Sequence, residues 1–374
     1  MHTLLISSFL SAILMSPAEL ERLLVEHGWG SPQRGERLNA VAASLAETIG
    51  RSTEPIGPKA IAEHLRFLLS SAEVTDSQVV PFSIQHTSSG GLRTHLPLLL
   101  GRLERRFPPT HYGMATFGTG RQLTSTIVLV HRGIELAKPL PNQAIVYTRF
   151  TVTGPLRSGY FKPRIIIDPP GAQGIRDRPA WNHKREIDVN LFFDAGKGIY
   201  DVELVAESQY GPVVLHQQKI HVGVRPPMLP MIRLGRTRPN TGKTLADSID
   251  TFRRANGLAP LQWSARLSAI ATNYAHEMSR HGRVAHGSPD TGTLTTRLRA
   301  QGVVFGEIGE NLAEAANGTD AFRGFIDSPG HKRNLLLPHV THIGVGVKGR
   351  FFAIFLVQLL EKEAKKSVEK TDEK

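Results

Sequence analysis

Ser328-Pro329-Gly330-His331-Lys332-Arg333-Asn334 is the stretch from which the fold of this chain can be read. Serine followed by proline is a helix start. The hydroxyl caps the first turn, and the proline ring, already near helical φ, takes the first helical position. His331 then falls in the first turn, at the positive end of the helix dipole. The dipole disfavours protonation and predicts an imidazole that is neutral at pH 7. Such a ring can accept a hydrogen bond or ligate a metal.

Two upstream stretches belong with it. Val284-Ala285-His286-Gly287-Ser288 runs into the turn-rich Gly287-Ser288-Pro289-Asp290. Gly309-Glu310-Asn311 reads as a break between elements. Two histidines and an acid on short loops of an apolar unit predict one shared cleft. Taken singly, each histidine reads as a hydrogen-bonded structural residue.

Around these stretches the pattern is helical. Leu245–Arg254 predicts a helix closed by Asn256-Gly257, and Ser264 predicts the cap of the next. That helix places Leu267, Ile270, Ala271, Tyr274 and Met278 on one face and His276 on the other. Thr293–Ala300 and Ala321–Ile326 read as shorter helices, and Ile343–Val347 and Phe351–Leu359 as paired strands.

The combined order His286, Gly309-Glu310-Asn311, Ser328-Pro329-Gly330-His331-Lys332-Arg333-Asn334 and Gly344-Val345-Gly346 resembles the bacterial branch of the CAP superfamily. These are the cysteine-rich secretory proteins, antigen 5 and plant pathogenesis-related proteins. The lead-in Phe252-Arg253-Arg254-Ala255-Asn256-Gly257-Leu258-Ala259-Pro260-Leu261-Gln262-Trp263 is similar to the family as well. The resemblance covers 241–360 and implies an α-β-α sandwich, usually exported, whose cleft carries two histidines and two acids. Carried over, these are His286, His331 and Glu310, with Asn311 and Ser328 beside them. Ser328 stands where the second acid is expected. Zinc is associated with the two histidines in this family, so His286 and His331 are the metal candidates that the resemblance implies.

The first part of the chain repeats this pattern. Arg37-Leu38-Asn39-Ala40-Val41-Ala42 matches Arg266-Leu267-Ser268-Ala269-Ile270-Ala271, and Thr110-His111-Tyr112-Gly113 matches Thr341-His342-Ile343-Gly344. Helices over Arg37–Ile49, Pro58–Leu69 and Leu96–Arg106, then strands within Tyr112–Glu135, complete the expected copy. The place of His331 falls near Leu100 and that of His286 near Thr53 or Glu54, so the polar cluster is absent and the copy reads as structural. From Ala144 to Val224 the chain alternates in short strands: Ile145–Val152, Arg164–Asp168, Glu186–Phe193, Tyr200–Ala206 and Val213–Val222. These predict a small antiparallel β-sandwich. The loop Arg176–Arg185 holds four basic residues around Trp181 and reads as solvated.

The expected fold is α+β, with a degenerate CAP-like domain at 19–138 and the β-sandwich at 139–224. A Pro-rich linker at 225–240, the CAP domain at 241–360 and a charged tail at 361–374 follow. A length of 374 residues suits this division. Leu4–Met15 is an apolar run of signal-peptide length, and Ser16-Pro17-Ala18 offers small residues for cleavage. Its n-region has His2 and no Lys or Arg, and a buried first helix is the alternative. Export to the periplasm, envelope or medium is the expectation. No stretch is long enough to span a bilayer as a helix.

Cysteine is absent, which excludes disulfides, thiol chemistry and Cys-based zinc patterns. The net charge is +12. Residues 241–360 carry 13 Lys and Arg against 9 Asp and Glu, and the tail carries 5 against 5, so the excess is spread over the chain. It suits an anionic surface such as lipid headgroups or wall polymers. No nucleic-acid motif accompanies it. Three functions remain open: a non-catalytic binder of a small ligand, lipid or envelope component; a hydrolase using a metal-bound water or a Ser/His pair, with Ser288 and Ser328 as hydroxyls; and a structural or adhesion module. No Gly-x-Ser-x-Gly elbow is present.

Overall fold

The structure, a computed structural model, describes residues 15–53, 56–86, 94–98, 100, 108–119, 122–171, 174–181, 186–227 and 242–360. Most of the candidate signal segment, most of the Pro-rich linker and the charged tail lie outside the described residues. The expected helix Leu96–Arg106 is described only in part, and the loop Arg176–Arg185 lacks 182–185. No helix among the described residues is long and apolar enough to cross a membrane.

The chain forms two compact units. The first comprises 1–157, 190–197 and 215–235; the second comprises 158–189, 198–214 and 236–374. The first unit holds α1 (Pro17–Glu26), β1 (Gln33–Arg34), α2 (Glu36–Gly50), α3 (Pro58–Ser71), β2 (Gln78–His86), β3 (His111–Thr119), β4 (Gln122–His131), β5 (Gln143–Ala144) and β6 (Arg149–Pro155). The second opens with β7 (Phe161–Asp168) and β8 (Arg176–Pro179). The strands β9 (Glu186–Phe192) and β11 (Gly211–Val222) run across the division, and β10 (Gly198–Ser208) belongs to the second unit. There, β7 pairs antiparallel with both β10 and β8. The expected strand Ile145–Val152 is interrupted: Tyr147 takes a φ of 63°, and pairing resumes only in β6.

The rest of the second unit is α4 (Gly242–Ala255), β12 (Gln262–Trp263), α5 (Ala265–His281), α6 (Leu294–Ala300), β13 (Phe305–Glu314), α7 (Gly318–Asp327), α8 (Pro329–Leu335), β14 (His342–Lys348) and β15 (Phe351–Leu359). Its sheet has the order β12-β14-β15-β13. Side chains of β15 alternate across it, as a strand requires. Phe351, Ala353, Phe355 and Val357 join Leu267, Ala271, Tyr274 and Leu298 of α5 and α6. Phe352, Ile354 and Leu356 join Leu245 and Ile249 of α4, Phe325 of α7 and Leu335 of α8. The result is a sheet between two helical layers. Because both faces are covered, β15 reads as a continuous apolar run rather than an alternating one.

The first unit repeats this arrangement. Its sheet order is β1-β3-β4-β2, again with a short parallel strand at one edge. Gln33 is opposite His111 as Gln262 is opposite His342. One helical layer joins Leu38, Val41 and Leu45 of α2 to Val128 and Val130. The other joins Leu20 and Leu24 of α1, with Leu96 and Leu100, to Ile127 and Leu129. Glycine marks the same close approach in each: a Cβ on Gly113 would meet the backbone carbon of Leu38 at 2.1 Å, and one on Gly344 that of Leu267 at 2.4 Å. Only hydrogen fits where the helix backbone lies this close to the sheet.

Registers fix the correspondence at the polar cluster. Gly344 is opposite Phe355, which is opposite Glu310. Gly113 is opposite Val128, which is opposite Pro81. Gly309-Glu310-Asn311 therefore corresponds to Val80-Pro81-Phe82, and the first unit has no acid there.

Candidate functional site

Glu310 lies inside β13, not in a break between elements. The segment Phe305-Gly306-Glu307-Ile308-Gly309-Glu310-Asn311 lacks an apolar run because β13 is an edge strand with two glycines. Strand geometry then sends Glu310 and Asn311 to opposite faces.

On the face toward α5 and α6, Glu310 Oε2 is 2.7 Å from His286 Nδ1. Its Oε1 accepts from the buried Arg297 guanidinium. Arg297 also donates to the Gly292 carbonyl at 2.6 Å and lies 3.4 Å over the Tyr274 ring. A carboxylate only accepts, so His286 Nδ1–H donates to it, and this bond fixes the orientation of the ring. The Tyr274 hydroxyl donates to the Ala285 carbonyl, which anchors the loop just before His286.

On the other face, Asn311 is fully buried and does not line open space. Its Nδ2 donates to the His331 carbonyl at 3.0 Å. Asn334 Nδ2 in turn donates to Asn311 Oδ1 and to the Glu310 carbonyl, each at 3.0 Å. These bonds bolt α8 to β13 and set the position of His331.

Ser328 has extended dihedrals and caps α8, its Oγ accepting from the His331 N–H at 3.3 Å, with Pro329 at the first helical position. The His331 ring lies 5.4 Å from that of Phe325, edge to face. Burial, and then the charge of His286, push His331 down to about 3, so its ring is neutral at pH 7. The dipole argument pointed the same way, but desolvation is the larger cause.

Ser328 does not leave its position without an acid. Glu203, on β10, accepts from the Gly330 N–H at 3.0 Å and from the Ser328 hydroxyl. It is fully buried, and its Oε1 has no partner among the described residues. Burial raises it to about 7, against the lowering effect of the Ser328 and Gly330 hydrogen bonds; Asp201 adds slightly to the rise. Lys332 Nζ is 2.6 Å from Asp168, and Arg333 pairs with Asp177. At the other histidine, the Gly287 N–H donates to the Tyr210 carbonyl at 2.7 Å, and Arg283 stacks on the Tyr210 ring. Strands β7, β8 and β10 and the turn after β10 thus contact both histidine-bearing segments. Nothing local in sequence marks Glu203, Asp168, Asp177 or Tyr210. Arg297 had a faint signal, a charge at an apolar-periodic position between Leu294 and Leu298.

The donor set fits zinc poorly. Both Glu310 oxygens are engaged, so the pair offers two imidazole nitrogens and no free carboxylate. Catalytic zinc takes three protein ligands. The candidate hydroxyls are also occupied. Ser328 Oγ caps α8 and donates to Glu203, and Ser288 Oγ accepts from the Asp290 N–H at 3.0 Å.

A cavity of about 400 Å³ lies in the first unit, lined among others by Arg37, Asp76, His111, Arg132 and His216. None of these was a candidate from the sequence. Its polar groups pair with one another: Arg132 grips Asp76 through Nε and Nη2 at 3.1 Å and Glu135 through Nη1 at 2.9 Å. His216 Nδ1 meets the Thr75 hydroxyl at 2.7 Å.

Residues 246–355 match the model of the cysteine-rich secretory protein family, CAP. This segment is a CAP domain. The chain is 32% identical over 111 residues to an uncharacterized membrane protein, YlbC, of Bacillus subtilis, covering 29% of this chain and 32% of that protein. It is 30% identical over 105 residues to an uncharacterized protein, YkwD, of the same organism, covering 28% and 41%. The chain spans about a third to two-fifths of the length of these relatives. Among solved structures, an extracellular protein containing an SCP domain from Bacillus anthracis is 18% identical, with a TM-score of 0.31, covering 60% of this chain and 86% of that one. An outer surface protein of Borrelia burgdorferi is 21% identical, with a TM-score of 0.30, covering 32% and 92%. The assignment of the CAP domain rests on the family match.

Proposed function

We propose that this chain is a non-catalytic, extracytoplasmic CAP-domain protein. Its cleft, walled by His286, Glu310 and His331, binds a small ligand, a lipid or an envelope component. The observation that carries the reading is the Arg297–Glu310–His286 relay. It fixes the orientation of the His286 ring, and His331 at the start of α8 is a second, neutral imidazole. A neutral His331 ring packed on Phe325, with an oriented His286 ring, suits a ligand with an apolar body and a hydrogen-bonding head. The occupied hydroxyls of Ser288 and Ser328 speak against acyl transfer. Zinc, on this reading, binds the two imidazoles weakly and drives no step. The first unit, with Val80-Pro81-Phe82 in place of Gly-Glu-Asn, serves as scaffold. Export rests on the apolar run Leu4–Met15 and on the secretory character of the family.

A second reading is favoured by the bonds of Asn311, Asn334, Ser328 and Glu203, all of which tie elements together. The cluster would then be a structural knot in an adhesion or assembly module. One experiment separates the readings. The protein and its His286→Ala and His331→Ala variants are titrated with phosphatidylglycerol vesicles and with muropeptides, and scanned for turnover of peptides, esters and glycans. Binding weakened about tenfold or more in both variants, without turnover, supports the first reading. Robust turnover abolished by His331→Ala makes the protein a hydrolase. No binding, with lowered stability in both variants, leaves the structural role.

A further inference from the structure

Outside that cleft, Glu277, His281 and Asp290 offer one nitrogen and two carboxylate oxygens that all lie within 4.8 Å of one another. Glu277 and His281 are four residues apart on α5, so they share a helix face. Asp290 is held over that face by a tight turn. Ser288 and Gly292 form a bridge, and the Asp290 N–H donates to Ser288 Oγ at 3.0 Å. His281 Nε2 is 2.7 Å from Asp290 Oδ2.

The decisive group is Glu277. It is 4% exposed. Its Oε2 accepts from the Thr291 hydroxyl at 2.6 Å, while its Oε1 is buried without a partner among the described residues. A buried carboxylate oxygen left unpaired is costly and calls for a cation. Arg280, on the same helix, pairs with Asp290 at 2.6 Å. One imidazole with two carboxylates is the donor set of a divalent transition metal, with open positions for water.

We propose that Glu277, His281 and Asp290 bind a divalent transition-metal ion, which ties the end of α5 to the loop that carries His286. In tetrahedral coordination, ligand atoms about 2.0–2.1 Å from the ion lie roughly 3.4 Å from each other. Reaching this needs only small movements of His281 and Asp290, whose side chains are 36% and 39% exposed. The Arg280 pair, itself exposed, gives way to the ion.

The test is equilibrium dialysis and calorimetry of the untagged full chain with zinc, against His281→Ala, Asp290→Asn and His331→Ala. The first two changes are at exposed positions, and circular dichroism checks their folding. The site predicts one zinc equivalent in the wild type that survives in His331→Ala. It predicts at least about a tenfold loss of affinity in His281→Ala and in Asp290→Asn. Zinc should also raise the thermal midpoint of the wild type and of His331→Ala but not of His281→Ala. As an independent readout, Glu277→Gln should raise the midpoint in chelator, because it removes the unpaired charge, and abolish the response to zinc. Zinc binding that is lost in His331→Ala and kept in His281→Ala overturns the proposal, as does a wild type that takes up no zinc.

Discussion

His286 Nδ1 and Glu310 Oε2 are 2.7 Å apart, and the other oxygen of that carboxylate is held by Arg297, whose side chain is 4% exposed. One buried acid therefore both neutralises a buried guanidinium and orients an imidazole. Glu310→Ala should cost about 3–5 kcal/mol, since it strands the Arg297 charge. Glu310→Gln, which keeps an acceptor but not the charge, should cost less. Urea unfolding of the three proteins checks the order.

Glu203 is held near pH 7 by burial, against an unfolded value of 4.5. Between these values the folded state holds a proton that the unfolded state has lost. Its contribution to stability therefore falls as pH rises from about 4.5 through 7. Glu203→Gln cannot ionise and keeps an acceptor for the Gly330 N–H. The variant should match the wild type near pH 5 and exceed it near pH 8, by chemical denaturation at the two pH values.

His331 moves the other way. Its folded value of about 3 lies below the unfolded 6.5, so acid protonates the unfolded chain first. Stability should fall as pH drops from 6.5 toward 3. In His331→Gln this part of the acid loss disappears, which a pH series of thermal midpoints would record.

Gly113→Ala and Gly344→Ala test the repeat. Each would press a methyl group into the backbone of the facing helix. Both should destabilise by more than about 3 kcal/mol, as overpacking of backbone against backbone does not relax. Expression yield and unfolding midpoint should drop for both. An inert Gly113→Ala would show that α2 does not lie on its sheet as α5 does.

Much of this was legible in the chain. The apolar stripe Leu267, Ile270, Ala271, Tyr274 and Met278 marks α5 and its core face, and Ser328-Pro329 marks the α8 cap. The matched pairs Leu38 with Leu267 and Gly113 with Gly344 announced the common sheet. Strand β13 was hidden, because its glycines and acids erase the alternation that marks a strand. Glu203, Asp168 and Asp177 were hidden for another reason. They meet Gly330, Lys332 and Arg333 across more than a hundred residues of chain, and no local pattern records such a meeting.

The central claim is that His286, oriented by Glu310, and a neutral His331 meet one ligand. Nitrogen NMR of the two imidazoles tests it most directly, first across a pH series and then on addition of phosphatidylglycerol vesicles or muropeptides. The predicted result is a His286 Nδ1–H bonded to Glu310, a His331 that stays uncharged well below its ordinary 6.5, and both rings shifting together with one ligand. A His331 that titrates near 6.5, or a ligand that moves neither ring, would contradict it.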